Sequence, residues 1–321
     1  MNSKPILIIT GEPFGIFSEI LFKTFQKEKI KKPIVVIASI ELLKKQLKYL
    51  NYKISFNLIN ENFKLNDLRK NKINVINVNF KFKKIFDKIS NSSNMYIKKC
   101  FDLALKLMKK NLFVGLINGP ISKKHFLKFK SNGITEYLAK ETKTKNFAML
   151  IYNKELSVTP ITTHVPLKNV SRLIDKKKIV NQVKLIKKFY LKFCKKNPKI
   201  AITGLNPHCE SKLKNNEEEK KIKPAIRYLK KKSYKVNGPY PTDSLFMRNN
   251  IKNFDVVVGM YHDQVLTPIK TLYNFNAINI TLGLPFIRIS PDHGPNIRML
   301  GKNKSDPSSI FYAMRFVNKI K

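Results

Sequence analysis

The chain has 321 residues, 43 % of them hydrophobic, which is long enough for one large domain or two lobes with a substantial core. No stretch approaches the roughly 18 uncharged apolar residues of a membrane span, and the first residues suit a buried strand better than a signal peptide, so we expect no membrane partner. Three scattered cysteines exclude a disulfide framework or a zinc ribbon and favour a reducing, cytoplasmic location.

The charge is strongly positive, because 63 lysines and arginines oppose 21 acidic residues and give a formal net charge of +42. Such a balance attracts polyanions and phosphorylated substrates. The excess is mostly lysine spread over nearly every predicted helix, without an arginine-rich tail or a recognition motif. An AT-rich coding sequence explains this composition, so we expect no specific nucleic-acid partner.

Strand and helix patterns alternate along the first part of the chain. Apolar runs rich in β-branched residues predict strands at residues 5–10, 33–39, 53–59, 73–78 and 112–117. The glycine turn Gly11-Glu12-Pro13-Phe14-Gly15 follows the first strand, but its spacing is neither GxGxxG nor a P-loop, so no nucleotide fingerprint is present. A clear amphipathic helix is predicted over residues 94–111. The turn Asn118-Gly119-Pro120 then leads into a helix whose start offers N–H groups to anions.

The second part of the chain continues the alternation. Strands are predicted at residues 147–152, 156–159, 198–204, 255–260 and 277–281, the first two as a pair. Helices are predicted at 175–195, at 217–232 with a kink at Pro224, and at 306–321. Residues 237–243 are predicted to form a rigid loop into a short helix. The alternation predicts a layered α/β fold with a largely parallel sheet.

Three of the five histidines share one context. His164, His208 and His262 each follow an apolar run, in SVTPITTH, AITGLNPH and VVVGMYH. If the strands are parallel, all three lie at one edge of the sheet, where three imidazoles would bind a divalent ion such as Zn²⁺. Asp243 and Asp263 would add a ligand or fix the histidine tautomers. The alternative is that the histidines are unrelated polar residues at strand ends.

A second set of polar residues predicts an anion site. Lys270, Asn279 and Arg288 are spaced nine residues apart. Arginine forks onto phosphate, lysine supplies a point charge, and the asparagine amide donates hydrogen bonds. The alternative, an ordinary surface residue, is stronger for Lys270 than for Arg288, since lysine is abundant here and arginine scarce. The Asp292-His293 turn would bind substrate or cofactor, unless His293 only braces Asp292.

The segments TTHVPL, GLNPH, GMYHDQ, NITLGLPFIR and SPDHG, in this order, resemble the motifs of the 4-hydroxythreonine-4-phosphate dehydrogenase family of vitamin B6 biosynthesis. GEPFGI and NGPISK are similar to that family's GEP-x-GI and TGP-x-x-K segments, so the resemblance covers nearly the whole chain. It implies an α/β fold of two α/β/α lobes with a cleft between them, like the isocitrate and isopropylmalate dehydrogenases. We expect residues 1–130 plus 296–321 in the first lobe and residues 131–295, with most metal and substrate residues, in the second.

The resemblance also implies the site residues. The divalent metal (Zn, Mg or Co) would be bound by histidines from both subunits of a homodimer, namely His164, His208 and His262. The matching substrate-binding positions are Thr135, Lys270, Asn279 and Arg288. Asp292 and His293 would border the cofactor. The alcohol proton would be taken or relayed by Asp243, Asp263 or Lys123, and the residues leave open which one.

The implied reaction uses NAD, with NADP possible. It oxidises the C3 alcohol of 4-phosphohydroxy-L-threonine, a small phosphorylated hydroxy amino acid, and decarboxylates the product to 3-amino-2-oxopropyl phosphate. This is a step of pyridoxine 5'-phosphate biosynthesis. The active site would be shared between the two subunits.

The chain departs from the family pattern at a few positions. The family usually has Gly-His-Thr-Glu where this chain has Gly133-Ile134-Thr135-Glu136, and isoleucine cannot donate a hydrogen bond to substrate. Thr10 replaces the usual proline before GEP, and Pro295-Asn296 stands where Thr-Ala is common. Because Ile134 bears on the substrate, a paralogue acting on a four-carbon sugar-acid phosphate, such as threonate or erythronate 4-phosphate, is the first alternative. A metal-dependent phosphohydrolase, which needs no NAD, is the second.

Overall fold

The computed structural model describes residues 4–27, 31–127, 133–210, 216–274, 276–291 and 294–320. Contacts between residues divide the chain into two compact units, residues 1–137 with 286–321 and residues 138–285. This division assigns residues 131–137 and 286–295 to the first unit, whereas the sequence led us to expect them in the second lobe. Thr135 and Arg288 therefore belong to the first unit.

The strands and helices are numbered along the chain. The described strands are β1 (Ile6–Ile9), β2 (Ile34–Ala38), β3 (Phe56–Ile59), β4 (Ile73–Asn77), β5 (Gly115–Asn118), β6 (Ala148–Tyr152), β7 (Ser157–Thr162), β8 (Ile200–Thr203), β9 (Val236–Tyr240), β10 (Val256–Tyr261), β11 (Ile278–Leu282) and β12 (Arg288–Pro291). The described α-helices are α1 (Phe17–Lys27), α2 (Ile40–Tyr49), α3 (Asn94–Lys109), α4 (Ile134–Glu141), α5 (Val170–Leu173), α6 (Lys176–Phe189), α7 (Lys223–Lys231), α8 (Thr242–Leu245), α9 (Arg248–Ile251), α10 (His262–Tyr273) and α11 (Ser308–Lys319).

In the first unit, the strands follow the order β3-β4-β2-β1-β5-β12, and the described pairs are parallel. The central strands β1 and β2 are buried along their whole lengths, with the sequences ILII and IVVIA. Parallel strands covered on both faces read as unbroken apolar runs, which is why the sequence predicted them.

In the second unit, the order is β11-β6-β7-β10-β8-β9. β7, β10, β8 and β9 run parallel, whereas β6 is antiparallel to both β7 and β11. The predicted pairing of β6 with β7 is thus confirmed, with Ile151 opposite Val158. Thr162 lies opposite Tyr261, so the carboxyl ends of β7 and β10 are level.

The sequence reading was wrong for two short strands. The loop predicted at residues 237–243 is mostly the strand β9, although Gly238 and two prolines resemble turn signals. A Cβ at Gly238 would lie 2.3 Å from the carbonyl oxygen of Ile202, so glycine there allows β9 to approach β8 closely. Strand β12 was not predicted because its four residues, RISP, contain an arginine and end in proline.

The long helices were predicted correctly, with local departures at their ends. α6 is followed by a π-helical turn, Tyr190–Cys194. The kink expected at Pro224 corresponds to a π-helical turn, Glu218–Ile222, joined to α7, which has Pro224 in its first turn.

No helix in the described part of the chain is long and apolar enough to cross a membrane.

Two glycines allow the loops after β1 and β5 to pack backbone against backbone. A Cβ at Gly119 would lie 2.2 Å from the carbonyl oxygen of Thr10, and one at Gly11 would lie 2.4 Å from that of Pro120. Gly11 also has a positive φ of 76°, which favours glycine. The GEP and NGP motifs therefore have a shared structural reason for their glycines.

We predict that Gly119→Ala lowers the free energy of unfolding by about 2 kcal/mol or more, because the new methyl group must displace buried backbone. Chemical denaturation of the full chain measures the loss. Gly294→Ala is the matched control, since a Cβ there meets nothing within 4 Å. Equal stabilities of the two variants would contradict the packing argument.

Candidate active site

Three motif loops meet in the first unit at the carboxyl ends of β1, β5 and β12. The backbone N–H of Glu12 donates to the carbonyl of Pro120 at 2.9 Å, and that of Ile16 donates to the carbonyl of Pro295 at 3.2 Å. The GEPFGI loop thus contacts both the NGPISK loop and the segment after SPDHG. Ligands bind α/β proteins at this edge of parallel strands, so the three motifs define a candidate ligand-binding edge.

Glu12 is a buried acid in the first of these loops, with 2 % of its surface exposed. The Ser93 hydroxyl donates to its Oε1 at 2.8 Å, and its Oε2 has no hydrogen-bond partner in the described structure. Burial raises the pKa of Glu12 from 4.5 to about 7, against the opposing effect of the Ser93 hydrogen bond. Sequence reasoning singled out the motif but gave this acid no role.

Arg288 is fully buried on β12. Its Nε donates to Oδ1 of Asn118 at 2.6 Å, and its Nη1 donates to the hydroxyl of Thr135 at 3.3 Å. Burial lowers the pKa of Arg288 from 12.5 to about 9, although the carboxylate of Glu136 opposes the shift. The guanidinium therefore stays charged at neutral pH. A desolvated, oriented arginine is a strong partner for an anion.

The structure thus brings together Arg288 and Thr135, two of the four predicted substrate residues. Asn118 was missed as their neighbour. The sequence indicated this residue only through its polar side chain at the end of β5. It stands where the 4-hydroxythreonine-4-phosphate dehydrogenase family has the threonine of its TGP motif.

In the second unit, the parallel strands β7, β10, β8 and β9 are adjacent in that order, and their carboxyl ends form one edge. The loops and helices that follow these strands carry His164, His262, His208 and Asp243, respectively. The parallel pairing therefore places the three histidines at one edge, as the sequence predicted for parallel strands.

The ring centroids of His164 and His262 lie 5.6 Å apart, a separation compatible with one ion between the two rings. Nδ1 of His262 lies 2.9 Å from Oδ1 of Asp263. A neutral ring that donates its Nδ1–H to this carboxylate presents the lone pair of Nε2, as metal-binding histidines do.

His208 lies on the neighbouring loop, in a left-handed conformation with φ 57°. Among the described residues, no group of three or more His, Cys, Asp or Glu side chains is placed to hold a metal ion. A single chain therefore pairs two of the predicted ligands, and His208 as the third stays a prediction.

Asn279 lies away from the histidine edge. It is opposite Ile151 of β6, which is itself opposite Val158 of β7. Val158 precedes the end of β7 by four residues, so Asn279 is about 13 Å from that edge along the strands. Its Oδ1 is buried without a hydrogen-bond partner in the described structure.

Lys270 also lies away from the histidine edge. It follows His262 by eight residues in α10, which packs on β7 and β10, so it lies about 12 Å along the helix axis. The second unit therefore does not bring Lys270 and Asn279 to the histidine loops.

The positions of the remaining predicted site residues are defined by their secondary structure and exposure. Asp243 is exposed at the start of α8, and Asp263 is exposed beside His262. Lys123 begins the π-helical turn Lys123–Leu127 after β5. Asp292 and His293, predicted to border the cofactor, lie outside the described residues.

Comparison with known proteins identifies close relatives over the full length. The family described as "Pyridoxal phosphate biosynthetic protein PdxA" matches residues 29–317. A 4-hydroxythreonine-4-phosphate dehydrogenase from Sulfurihydrogenibium sp. (strain YO3AOP1) is 39 % identical, covering 98 % of each chain. A protein from Oceanobacillus iheyensis, provisionally named a D-threonate 4-phosphate dehydrogenase, is 33 % identical over 98 % of this chain and 97 % of its own.

Solved structures agree with the fold. The crystal structure of 4-hydroxythreonine-4-phosphate dehydrogenase from Klebsiella pneumoniae matches with a TM-score of 0.85 and 28 % identity, covering 99 % of both chains. Isocitrate dehydrogenase from Methylococcus capsulatus matches with a TM-score of 0.51 at 11 % identity, covering 98 % of this chain and 85 % of that one, which bears on the fold alone. The predicted isocitrate dehydrogenase-like α/β fold is confirmed.

We predict that Glu12→Gln removes a pH-dependent loss of stability. The folded chain holds the Glu12 proton more tightly than the unfolded chain, so wild-type stability falls as pH rises from 4.5 through about 7. Relative to wild type, the variant should gain about 2 kcal/mol in free energy of unfolding between pH 5.5 and pH 8.

Denaturant unfolding at the two pH values measures this gain. The exposed Glu41→Gln on α2 controls for the loss of one negative charge. If Glu12→Gln and Glu41→Gln shift equally between the two pH values, the Glu12 carboxyl is not protonated by burial.

Proposed function

Because the chain belongs to the PdxA family of pyridoxal phosphate biosynthetic proteins, we propose that it is a 4-hydroxythreonine-4-phosphate dehydrogenase. The substrate would be 4-phosphohydroxy-L-threonine, oxidised at C3 with loss of CO₂ to give 3-amino-2-oxopropyl phosphate. The observation that carries the proposal is the edge formed by β7, β10 and β8, where the two imidazoles of His164 and His262 lie 5.6 Å apart.

The proposed metal ligands are His164, His262 and His208. The first two are adjacent in one chain, and the family resemblance implies that a second subunit completes the set in a homodimer. This agrees with the finding that the described residues of a single chain do not assemble three ligands. A divalent ion held here would lower the pKa of the substrate alcohol and polarise the ketone during decarboxylation.

Asp263 supports the proposed metal site through His262. Its Oδ1 lies 2.9 Å from Nδ1 of that ring, so in the tautomer that carries a proton on Nδ1 the carboxylate would fix the ring's orientation and leave Nε2 available as a ligand. Because Asp263 contacts the ring of His262, we favour Asp243 of the two acids as the group that takes the alcohol proton. Lys123 remains the third candidate for this proton transfer.

Arg288 is the proposed partner of the substrate phosphate. Its guanidinium is desolvated, charged at neutral pH and oriented by Asn118 and Thr135, so little conformational entropy is lost when an anion binds. Lys270 and Asn279 are proposed as substrate-binding residues on the family resemblance. The unpartnered Oδ1 of Asn279 is a buried acceptor that a substrate donor would satisfy.

In many dehydrogenases the hydride acceptor is a nicotinamide cofactor. We propose NAD⁺ as this acceptor, with Asp292 and His293 at its border. The reaction then converts one NAD⁺ to NADH and releases one CO₂ for each substrate oxidised.

A second candidate function rests on Ile134, the first residue of α4. It directly precedes Thr135, whose hydroxyl contacts Arg288, and it cannot donate a hydrogen bond. A four-carbon sugar-acid phosphate is the candidate substrate that such a change favours. The relative named for D-threonate 4-phosphate is consistent with this alternative.

We predict that the wild-type chain forms NADH from 4-phosphohydroxy-L-threonine and NAD⁺ only with a divalent metal, and that a chelator abolishes the reaction. His208→Ala should lose bound metal and activity while staying folded, because one of three ligands is removed. NADH absorbance, elemental analysis and circular dichroism measure these effects. His125→Ala, on the turn after β5, is the matched histidine control.

Full metal content in His208→Ala would refute the three-histidine site. Release of phosphate without NADH would identify a phosphohydrolase instead.

We predict that Ile134→His lowers the KM for 4-phosphohydroxy-L-threonine by about tenfold, as expected for one added hydrogen bond of roughly 1.4 kcal/mol. Steady-state kinetics on this substrate and on D-threonate 4-phosphate measure the change. Ile134→Leu controls for altered packing. An unchanged or raised KM for the first substrate, with efficient turnover of the second by the wild type, would favour the sugar-acid alternative.

A further inference from the structure

We propose that Gln264 is the positioning residue of the histidine edge, whose side-chain amide fixes the carboxyl ends of β10 and β8 and the segment after β9 relative to one another. The inference rests on the proposed function, because the histidines are metal ligands only if that function is correct. In the described structure the Gln264 side chain makes no hydrogen bond to His164, His208 or His262, so it acts through the loops that carry them.

Every hydrogen-bonding position of the Gln264 amide is used. Its Oε1 accepts from the backbone N–H of Met260 at 2.6 Å and from the hydroxyl of Thr203 at 2.9 Å. Its Nε2 donates to the carbonyl of Gly204 at 2.8 Å and to the hydroxyl of Thr242 at 2.9 Å. A glutamine offers two acceptor lone pairs and two donor hydrogens, so this amide is saturated. Only 8 % of its surface is exposed.

Each partner of this amide lies close in the chain to a proposed site residue. Met260 is in β10, two residues before His262, and Thr242 directly precedes Asp243. Thr203 ends β8, and Gly204 starts the loop that leads to His208. One side chain therefore ties together the three segments that deliver His262, His208 and Asp243.

The space around the amide is tight. A Cβ at Gly259 of β10 would lie 2.4 Å from Cγ1 of Val265 and 3.1 Å from Oε1 of Gln264. The glycine thus allows α10 to lie directly against β10 with the amide at the strand ends. A displaced amide would move the helix that begins at His262.

A buried carboxylate holds the His208 loop just beyond the amide. Oε1 of Glu218 accepts from the backbone N–H groups of Leu205 at 2.7 Å and Asn206 at 2.8 Å, and its Oε2 accepts from Nδ2 of Asn206 at 2.8 Å. Glu218 is fully buried. Gln264 fixes the loop at Gly204 and Glu218 fixes the next two residues, so the loop is held immediately before the turn of His208.

The expected consequence is on metal affinity. Residues that orient metal ligands without touching the metal typically change affinity by about 10- to 100-fold when they are replaced. Replacing Gln264 by methionine keeps a similar length and volume but removes all four hydrogen bonds. Thr203→Val and Thr242→Val each remove one hydroxyl partner of the amide at nearly constant shape.

The test is a Co²⁺ titration of the full-length wild type and variants, followed by calorimetry and by the visible spectrum of bound Co²⁺, which reports ligand geometry. Gln264→Met should bind Co²⁺ about 10- to 100-fold more weakly with an altered spectrum, and both threonine variants should show smaller changes in the same direction. Thr159→Val removes a buried hydroxyl of β7 that donates to the carbonyl of Met149 and accepts from Nε2 of Gln182, and this variant should bind Co²⁺ as the wild type does.

Wild-type affinity and spectrum in Gln264→Met, or in both threonine variants should Gln264→Met not fold, would overturn the inference and leave the proposed function standing. Absence of stoichiometric Co²⁺ and Zn²⁺ binding by the wild type would instead overturn the proposed function, and this inference with it.

Discussion

The parallel pairing of β7, β10, β8 and β9 is the constraint on which the candidate metal site depends. Because parallel strands finish at one edge, segments far apart in the chain deliver three histidines and Asp243 to neighbouring positions. The level ends of β7 and β10 account for the 5.6 Å separation of the His164 and His262 rings. The saturated amide of Gln264 lies where the ends of β10 and β8 must be held together.

The first unit uses buried charge in a chain whose surface is dominated by lysine. Arg288 and Glu12 are both removed from water. Burial lowers the pKa of Arg288 and raises the pKa of Glu12, so it favours the neutral form of each side chain. Arg288 remains a cation at neutral pH, since its pKa stays near 9, whereas Glu12 titrates close to neutrality. The formal charge of +42 therefore says little about the site, which depends on the few ionisable groups that the fold desolvates.

Much of the fold was predictable because most strands are unbroken apolar runs, such as ILII and IVVIA, and the long helices are amphipathic. β9 and β12 were missed because glycine, proline and arginine interrupt their patterns, and only neighbouring strands show that they extend a sheet.

The histidines of the candidate site could be predicted from the sequence, because each follows a predicted strand. Gln264, Glu218 and Asn118 could not, because local sequence does not show which polar side chains become buried and which partners satisfy them. The positions of Asn279 and Lys270 depend on strand register and helix direction. The spacing of nine residues between these positions in the sequence gives no information on either.

Anomalous diffraction from crystals grown with Co²⁺ or Zn²⁺ tests whether the edge of β7, β10 and β8 binds a divalent metal. We expect one strong anomalous peak per site at about 2.0–2.1 Å from ring nitrogens of His164 and His262. We expect a third contact, at the same distance, from His208 of the same or a second subunit. A peak bound elsewhere, or none at this edge with the metal present in solution, would refute a metal site at this edge.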